Sequence, residues 1–582
     1  MYSPDPYTSD FQIYLLIVPI IIGLLMAFII VKKRYTYLPY CYVIIFVMTL
    51  ILLTLPMINH PFFDRTDLLS HLSFIKDILL YGHIPNYPIK NIGLSLYPAS
   101  HLLLAIYSII SKVNVVNLRI SNSILFIEFV VQFIVGTLFI KRFLNNAQAS
   151  LKIITAIMIS SPLAVSLNYG SIPIIFSIFL FFYLSLLYYE LVIKMIGNHK
   201  YLPVKRMMIA LLLIISISMY HPLILLAISV FSLLYILLFK FANMGSLLNS
   251  NAPIMLSKFI LIINSIIFIM KVLYLKYYLA LGIEKILHLL TSGPIGQTRY
   301  FEFVYLYTKR SLNDLLLSFV KMYPFSLIIL PSMIMMIADF TFLLRKKWRS
   351  DEGKNSRLYF LAQICNWIFL SALNIFIVEM MGFWRMLFAL QFFSMFYLTI
   401  SLNEFIKGRN ISMTKISFWS SLIVALVILS TFAKSISIRS FYPSPFTGWQ
   451  NQAISINEYE GVSFLYGEKT LNTRVISFSP RFPLMEAIYG QYIAQMREDG
   501  RFGQYREMTF YGGPMKAARH KKVNNQYLLR EGDLIIISYY DTYYHDIVYQ
   551  KNIIDIDVML SSVITKCQQV YHNGDVRIVT IS

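Results

Sequence analysis

Long apolar runs recur along most of this 582-residue chain. A helix of about 20 apolar residues spans the ~30 Å hydrocarbon core of a bilayer. Charged residues make up 14% of the chain, against about 25% in soluble domains. We therefore predict a polytopic α-helical membrane protein with about twelve transmembrane helices, at residues 11–31, 38–58, 117–140, 150–168, 172–194, 207–220, 222–240, 254–278, 323–344, 358–378, 384–402 and 413–433.

The distribution of charge predicts how these helices are oriented. Residues 440–582 contain 14 Lys+Arg and 14 Asp+Glu, so the formal net charge of +21 lies entirely in residues 1–439. Basic residues concentrate in cytoplasmic loops, and the helices above place every basic cluster on one side, including Lys32–Arg34, Lys194–Arg206 and Arg345–Arg357. The opposite, extracytoplasmic side receives the loop at 59–116 and the tail. This distribution predicts a multi-pass protein of the plasma membrane and gives no indication of nucleic-acid binding.

The orientation requires that residues 98–110 do not cross the membrane. This apolar segment has about 13 residues, too few for a ~30 Å core, and we predict a short interfacial or re-entrant helix on the outer face. The tail at 440–582 has a different pattern, with short alternating segments at 473–479 and 533–540 and a hairpin around Asn573-Gly574. It is predicted to form a small extracytoplasmic α/β or α+β domain, separate from the transmembrane domain at 1–439.

Acidic and histidine residues are concentrated in the stretch from Phe63 to His101. Asp67 and His71 are spaced i, i+4 and would share one face of a helix, with leucines and isoleucines such as Leu72 and Ile75 on the opposite face. This pattern predicts an amphipathic helix on the membrane surface, with its polar side toward water. A carboxylate beside an imidazole there suits general-base catalysis, which makes Asp64, Asp67 and His71 the candidate catalytic residues. The alternative is a solvated helix face whose N-terminal acids favour the helix dipole.

Several outer-face positions could bind an anion. Arg385, at the start of a predicted span, has a guanidinium group that matches phosphate geometry; the alternative is snorkelling beside Trp384. Arg299, His221 and His101 are further candidates for binding a lipid phosphate. Glu128 lies within an apolar helix, where an ionisable residue indicates a functional site. The alternative is that it forms a buried structural pair.

The sequence indicates no cofactor and no metal ligands. It contains no P-loop, GxGxxG, HExxH or paired CxxC motif. Asp64 and Asp67 are spaced D-x-x-D, which neither requires nor excludes a divalent ion.

The run DRTDLLSHLSFIKDILLYGHIPN and the later YPASHLLLAIYSIISKVNVVNLRISNSI resemble the first external loop of GT-C-fold membrane glycosyltransferases. That superfamily includes the lipid A aminoarabinose transferase and the protein O-mannosyltransferases. Gly82-His83-Ile84-Pro85, Tyr97-Pro98 and Arg119 match its motifs, and the outer C-terminal domain is similar to that of archaeal-type enzymes. One additional helix precedes the loop here, and the D-x-x-D spacing leaves open which aspartate is the catalytic acid.

The resemblance implies a reaction on the outer face of the membrane. A sugar would pass from a polyprenyl or dolichyl phosphate donor to a glycan, lipid or protein acceptor of the cell envelope, with inversion. Asp64 or Asp67 would be the base, and Arg385 with His221 or Arg299 would stabilise the departing lipid phosphate.

Three other functions fit the sequence less closely. A transporter or lipid flippase with an external accessory domain would place its polar site near the membrane midplane, whereas most acids and histidines here lie at the outer rim. A non-catalytic receptor or assembly subunit is the second alternative. A polysaccharide ligase or polymerase that uses lipid-linked oligosaccharide is the third.

Overall fold

The computed structural model describes residues 39–40, 42–44, 46–47, 66–84, 99–113, 123–145, 151–152, 155–156, 172–196, 204–221, 223–243, 252–274, 287, 329–344, 352–376, 383–409, 457, 459–461, 463–464, 475–477, 534–538, 567–573 and 576–581. Its helices are α1 Thr66–Tyr81, α2 Ala99–Ser111, α3 Ser123–Phe143, α4 Ile172–Ile196, α5 Val204–Tyr220, α6 Leu223–Asn243, α7 Ala252–Tyr274, α8 Ile329–Leu344, α9 Glu352–Phe376 and α10 Phe383–Arg409. The described residues are mostly helical, as predicted.

Helices α3 to α10 lie where the sequence predicts spans, with ends that differ by up to seven residues. The largest differences are at α3, α8, α9 and α10. The predicted spans at 11–31 and 413–433 lie outside the described residues, as do most of those at 38–58 and 150–168. The number of transmembrane helices therefore stays a prediction.

An aromatic layer joins four helices of the bundle. The Phe139 ring of α3 lies 5.2 Å from Phe392 of α10 and 6.5 Å from Phe360 of α9. Phe182 of α4 stacks on Phe392 at 4.3 Å, with 19° between the ring planes. Edge-to-face and stacked pairs of this kind add to the stabilisation that burial provides, so this layer fixes how the four helices are aligned along the bundle.

Contacts near the helix ends show that several predicted basic loops share one end of the bundle. The guanidinium of Arg142, in the last turn of α3, lies over the Tyr189 ring of α4 at 5.6 Å. The Tyr189 hydroxyl bonds to Ser356 in the first turns of α9 at 2.7 Å. Arg206 at the start of α5 pairs with Glu190 of α4 at 2.8 Å. We call this the basic end of the bundle.

The bundle has a hydrophobic core that also contains buried polar side chains, and it exposes large apolar side chains on its surface. Amide and hydroxyl side chains are buried between helices, among them Gln132, Asn264, Asn366 and Gln391. Large apolar side chains are exposed in stripes at helical spacing, which on α5 include Met208, Leu212 and Ile215 and on α7 include Phe259, Ile262, Ile266, Ile269 and Met270. Such contiguous exposed apolar surface marks a binding surface for protein or membrane.

Among the described residues, one helix has a stretch long and apolar enough to cross a membrane by length and composition, Ile224–Phe241 of α6. Shorter apolar stretches are Ala99–Ser111, Ser177–Val192 and Lys258–Met270.

The tail contains a mixed four-stranded sheet with the strand order β1-β2-β4-β3. Its strands are β1 Val475–Ser477, β2 Leu534–Ser538, β3 Cys567–His572 and β4 Val576–Ile581, all within the segments predicted from sequence. β1 and β2 are parallel, and the other two pairs are antiparallel. The Asn573 side chain donates to the Asn457 carbonyl at 2.7 Å and so ties the predicted hairpin to a nearby helical segment.

Candidate functional site

The two short helices of the predicted external loop pack against each other. The ring of His101 on α2 lies edge-on to Phe74 of α1, with 4.6 Å between centroids, and both residues are fully buried. Helix α2 also contacts α4 and α5. Its 13 residues extend roughly 20 Å at 1.5 Å per residue, too short to span a bilayer. The predicted short helix is therefore confirmed.

Helix α2 has its polar side chains toward the protein and its apolar side chains outward. Ser100, His101 and Ser108 are buried, whereas the opposite stripe is exposed: Leu103, Ile106, Ile109 and Ile110. Ile110 is 76% exposed. A helix in water would adopt the reverse arrangement, so the outer stripe of α2 is suited to contact with lipid.

Helix α1 is more enclosed than the sequence predicts. Leu72, Ile75 and Ile78 are buried as expected, but Asp77 is 0% exposed instead of facing water. Phe74 and Asp77 lie on different sides of α1 and both are buried, so the helix is covered on more than one side. That Asp67 and His71 face water stays a prediction.

Charge is retained inside this two-helix unit. Lys76 is half-buried beside Asp77 on α1. Burial lowers the pKa of Lys76 by disfavouring the ammonium form, while attraction to Asp77 acts in the opposite direction. Gly82 ends the helix with φ +70°, its amide bonded to the Ile78 carbonyl at 2.9 Å. That left-handed conformation favours glycine, which gives the first residue of the Gly-x-x-Pro motif a structural role.

The predicted site residues are described to different extents. Asp67 and His71 lie on α1 and Arg385 lies in the first turn of α10, but in each case the description stops at the backbone. Asp64 and Arg299 lie outside the described residues, and Glu128 is placed on α3 by its backbone alone. Among the predicted site residues, His101 of α2 is therefore placed in contact with α1. The catalytic roles of Asp64, Asp67 and His71 stay predictions.

His221 and Arg385 occupy the same end of the bundle. His221 follows α5, which begins at the basic end with Arg206. Its amide donates to the Ile217 carbonyl at 2.9 Å, and its own carbonyl accepts from Ile224 at 3.2 Å, so it is the corner between α5 and α6. Helix α10 likewise has Glu404 near the basic end and Arg385 near the other. His221 is 7% exposed.

Sequence reasoning missed a charged network at the basic end. Arg357 of α9 donates from Nε to Asp339 of α8 at 3.0 Å and from Nη1 to Glu404 of α10 at 3.0 Å. A second guanidinium nitrogen and the Tyr397 hydroxyl also donate to Asp339. The signal in the sequence was Asp339, the lone aspartate of the apolar run MIMMIADFTFLL. An ionisable residue in such a run indicates a functional site or a buried partner. Here it has a structural partner.

Within the described residues, no group of three or more His, Cys, Asp or Glu side chains could hold a metal ion. No protein-family model matches the chain, and no curated protein matches it either.

Proposed function

We propose that this chain is a polytopic membrane glycosyltransferase that moves a sugar from a polyprenyl or dolichyl phosphate to an acceptor on the outer face of the membrane. The observation that carries the proposal is the α1–α2 unit. A helix too short to span has its imidazole turned inward, its isoleucines outward, and packs on the helix that contains Asp67 and His71. Such a unit suits a polar reaction at the edge of lipid.

Three observations support placing the bundle in a membrane. Apolar stripes are exposed on α5 and α7 while amides are buried between helices, and residues 224–241 suffice for a span. Helix ends that flank predicted cytoplasmic loops meet at the basic end. We propose that this end faces the cytoplasm and that the α1–α2 unit and the tail lie outside.

The proposed reaction is a direct displacement at the anomeric carbon. The acceptor hydroxyl or amine attacks, its proton passes to the carboxylate of Asp64 or Asp67, and the bond between the sugar and the phosphate oxygen breaks with inversion. His71 would orient that carboxylate. Arg385, with His221, His101 or Arg299, would stabilise the negative charge on the departing lipid phosphate, and stabilisation of developing charge is often the largest catalytic contribution. The tail domain would bind the acceptor.

The test uses the full chain in proteoliposomes. Polyprenyl phosphates carrying radiolabelled glucose, mannose, galactose or aminoarabinose are mixed with a delipidated cell-envelope extract as acceptor, and transfer is measured as label leaving the organic phase. Asp64→Asn and Asp67→Asn are compared, with the exposed tail residue Glu460→Gln as control. Loss of the base should lower the rate by ~10²–10⁴-fold in one aspartate variant and leave Glu460→Gln unchanged.

A transporter or flippase is the second candidate, and the amides buried inside the bundle favour it. The same vesicles separate the two functions. If the wild-type chain transfers no label but makes the labelled headgroup accessible to periodate in the opposite leaflet, the transferase proposal is overturned. If transfer occurs and neither asparagine variant slows it, the base assignment is wrong.

A further inference from the structure

The exposed stripe of α3 changes from apolar to basic as the helix approaches the basic end. Between residues 131 and 141 the exposed side chains are Ile134, Leu138 and Lys141. Their spacing of four and then three residues places them on one stripe of the helix, whereas Phe139 is buried in the aromatic layer. The apolar part of the stripe therefore leads directly to an exposed ammonium group.

Three cations meet at the end of α3. Lys141 and Arg142 lie in its last turn. Lys152 donates from Nζ to the carbonyl of Asn145, two residues beyond the helix, at 2.6 Å. One turn of helix rises 5.4 Å, so the three charged side chains are held within about one turn of each other along the axis of α3. We call Lys141, Arg142 and Lys152 the α3 cation cluster.

No acidic side chain in the described part of the chain neutralises this cluster. The ion pairs found there involve Arg206 and Arg357, and Glu190 of α4 is bound to Arg206 at 2.8 Å. The Arg142 guanidinium lies over the Tyr189 ring at 5.6 Å, and its Nε has no hydrogen-bond partner among the described residues. The last carbonyls of a helix are equivalent to roughly half a negative charge, so they offset only part of three positive charges.

The cluster matches a phosphate group, and the stripe matches the acyl chains attached to one. Guanidinium and ammonium groups bind phosphate oxygens through charge-assisted hydrogen bonds. Ile134 lies about 10 Å from Lys141 along the helix at 1.5 Å per residue, a distance that an acyl chain covers easily. A free phosphate would leave Ile134 and Leu138 exposed, whereas a phospholipid covers both.

We propose that the end of α3 is a binding site for an anionic phospholipid, with its phosphate on the α3 cation cluster and an acyl chain along Ile134 and Leu138. The Tyr189 ring fixes the Arg142 guanidinium, which lowers the conformational cost of holding the phosphate. The inference relies on the proposed placement of the bundle in a membrane and does not require the transfer reaction.

The test measures the binding of single lipids to the purified full chain. The chain in detergent micelles is titrated with phosphatidylglycerol and separately with phosphatidylcholine, and native mass spectrometry gives the dissociation constant of the first bound lipid. The variants are Lys141→Gln, Arg142→Gln and Arg142→Lys. The control is Lys240→Gln, because Lys240 is an exposed lysine in the last turn of α6 and also lies toward the basic end. Soluble glycerophosphoglycerol, the headgroup without acyl chains, is added as a competitor.

We expect the wild-type chain to bind phosphatidylglycerol more tightly than phosphatidylcholine. Lys141→Gln and Arg142→Gln should each weaken phosphatidylglycerol binding by about fivefold, the factor that corresponds to about 1 kcal/mol per basic residue at an anionic lipid surface. Arg142→Lys keeps the charge and should retain most of the affinity, and Lys240→Gln should leave it unchanged. Glycerophosphoglycerol should compete weakly, because it cannot cover the apolar stripe.

Three results would overturn the inference. The first is a wild-type chain without preference for phosphatidylglycerol. The second is an affinity that Lys141→Gln leaves unchanged or that Lys240→Gln lowers equally, which would leave the cluster only its effect on orientation. Lys141 is exposed, so its replacement tests the charge without disturbing the packing. The third is full displacement of the lipid by an equal concentration of glycerophosphoglycerol, which would identify the ligand as a soluble phosphate.

Discussion

Replacing Arg357 with leucine should destabilise the bundle more than the loss of any exposed ion pair. The guanidinium joins α8, α9 and α10 through Asp339 and Glu404. The Asp339 side chain is 3% exposed. After the substitution, its carboxylate keeps one hydrogen bond among the described residues, from the Tyr397 hydroxyl. Removing one partner of a buried ion pair costs about 3–5 kcal/mol, because the remaining charge stays buried.

The chain offers a matched control in the Glu190–Arg206 pair. Its nitrogen–oxygen distance is 2.8 Å, but its side chains are 31% and 29% exposed. Water can solvate either charge once the other is removed, so Arg206→Leu should cost only about 0–1 kcal/mol. Both arginines lie near the basic end, on α9 and α5, so the comparison isolates burial from the type of residue.

The assay is unfolding of the purified full chain by dodecyl sulfate in mixed micelles, followed by far-ultraviolet circular dichroism. The double variant Asp339→Leu/Arg357→Leu should recover most of the loss, because apolar residues often replace a buried pair at little cost and Glu404, at 35% exposure, can be solvated. The reasoning is refuted if Arg357→Leu lowers the free energy of unfolding no more than Arg206→Leu does. It is also refuted if the double variant lowers it by more than the sum of the decreases caused by Asp339→Leu and Arg357→Leu alone.

Two further measurements test the α1–α2 unit. A spin label on a cysteine at Ile110 should be relaxed more strongly by oxygen than by an aqueous nickel chelate, because that side chain is 76% exposed on an apolar stripe. A label at the exposed Gln568 of β3 is the control and should show the reverse. Equal access of the chelate to both labels would exclude lipid contact at Ile110. Burial lowers the pKa of Lys76, so the unfolded chain binds more protons there and this lysine destabilises the fold at neutral pH. Lys76→Met should therefore raise the melting temperature at pH 7, with the gain shrinking as pH rises toward 10.5, the ordinary lysine pKa; a gain independent of pH would assign the effect to packing.

Local pattern was enough to predict much of the fold. Helix α4 begins at residue 172 as predicted and ends within two residues of the prediction, since a long apolar run with polar flanks leaves little freedom. The tail strands were found for a similar reason, because their alternation and the Asn573-Gly574 turn signal depend on neighbouring residues.

What the sequence could not predict depends on contacts between distant residues. Asp77 is an acid on a helix that the sequence predicts to lie at the membrane surface, yet it is 0% exposed, and α1 packs against α2. Asp339 and its partner Arg357 are 18 residues apart, and Glu404 is 47 residues further on. Helical periodicity contains no information about which face of another helix will supply a countercharge. The same limit applies to Arg385 and Asp67, whose proposed meeting depends on two elements more than 300 residues apart.

The order of layers along the bundle bears on the choice between an enzyme and a transporter. From the basic end, α9 presents Arg357 in the ion network and then Phe360 in the aromatic layer. A headgroup entering from the end with Arg385 would meet the aromatic layer before the ion network. Crossing further would require separating Phe139 from Phe360 and Phe392, at about 0.5–1.5 kcal/mol per aromatic pair beyond the lost burial, and then opening the buried Asp339–Arg357 pair. The transporter alternative would have to open both of these layers, whereas the proposed transferase needs access from one end only.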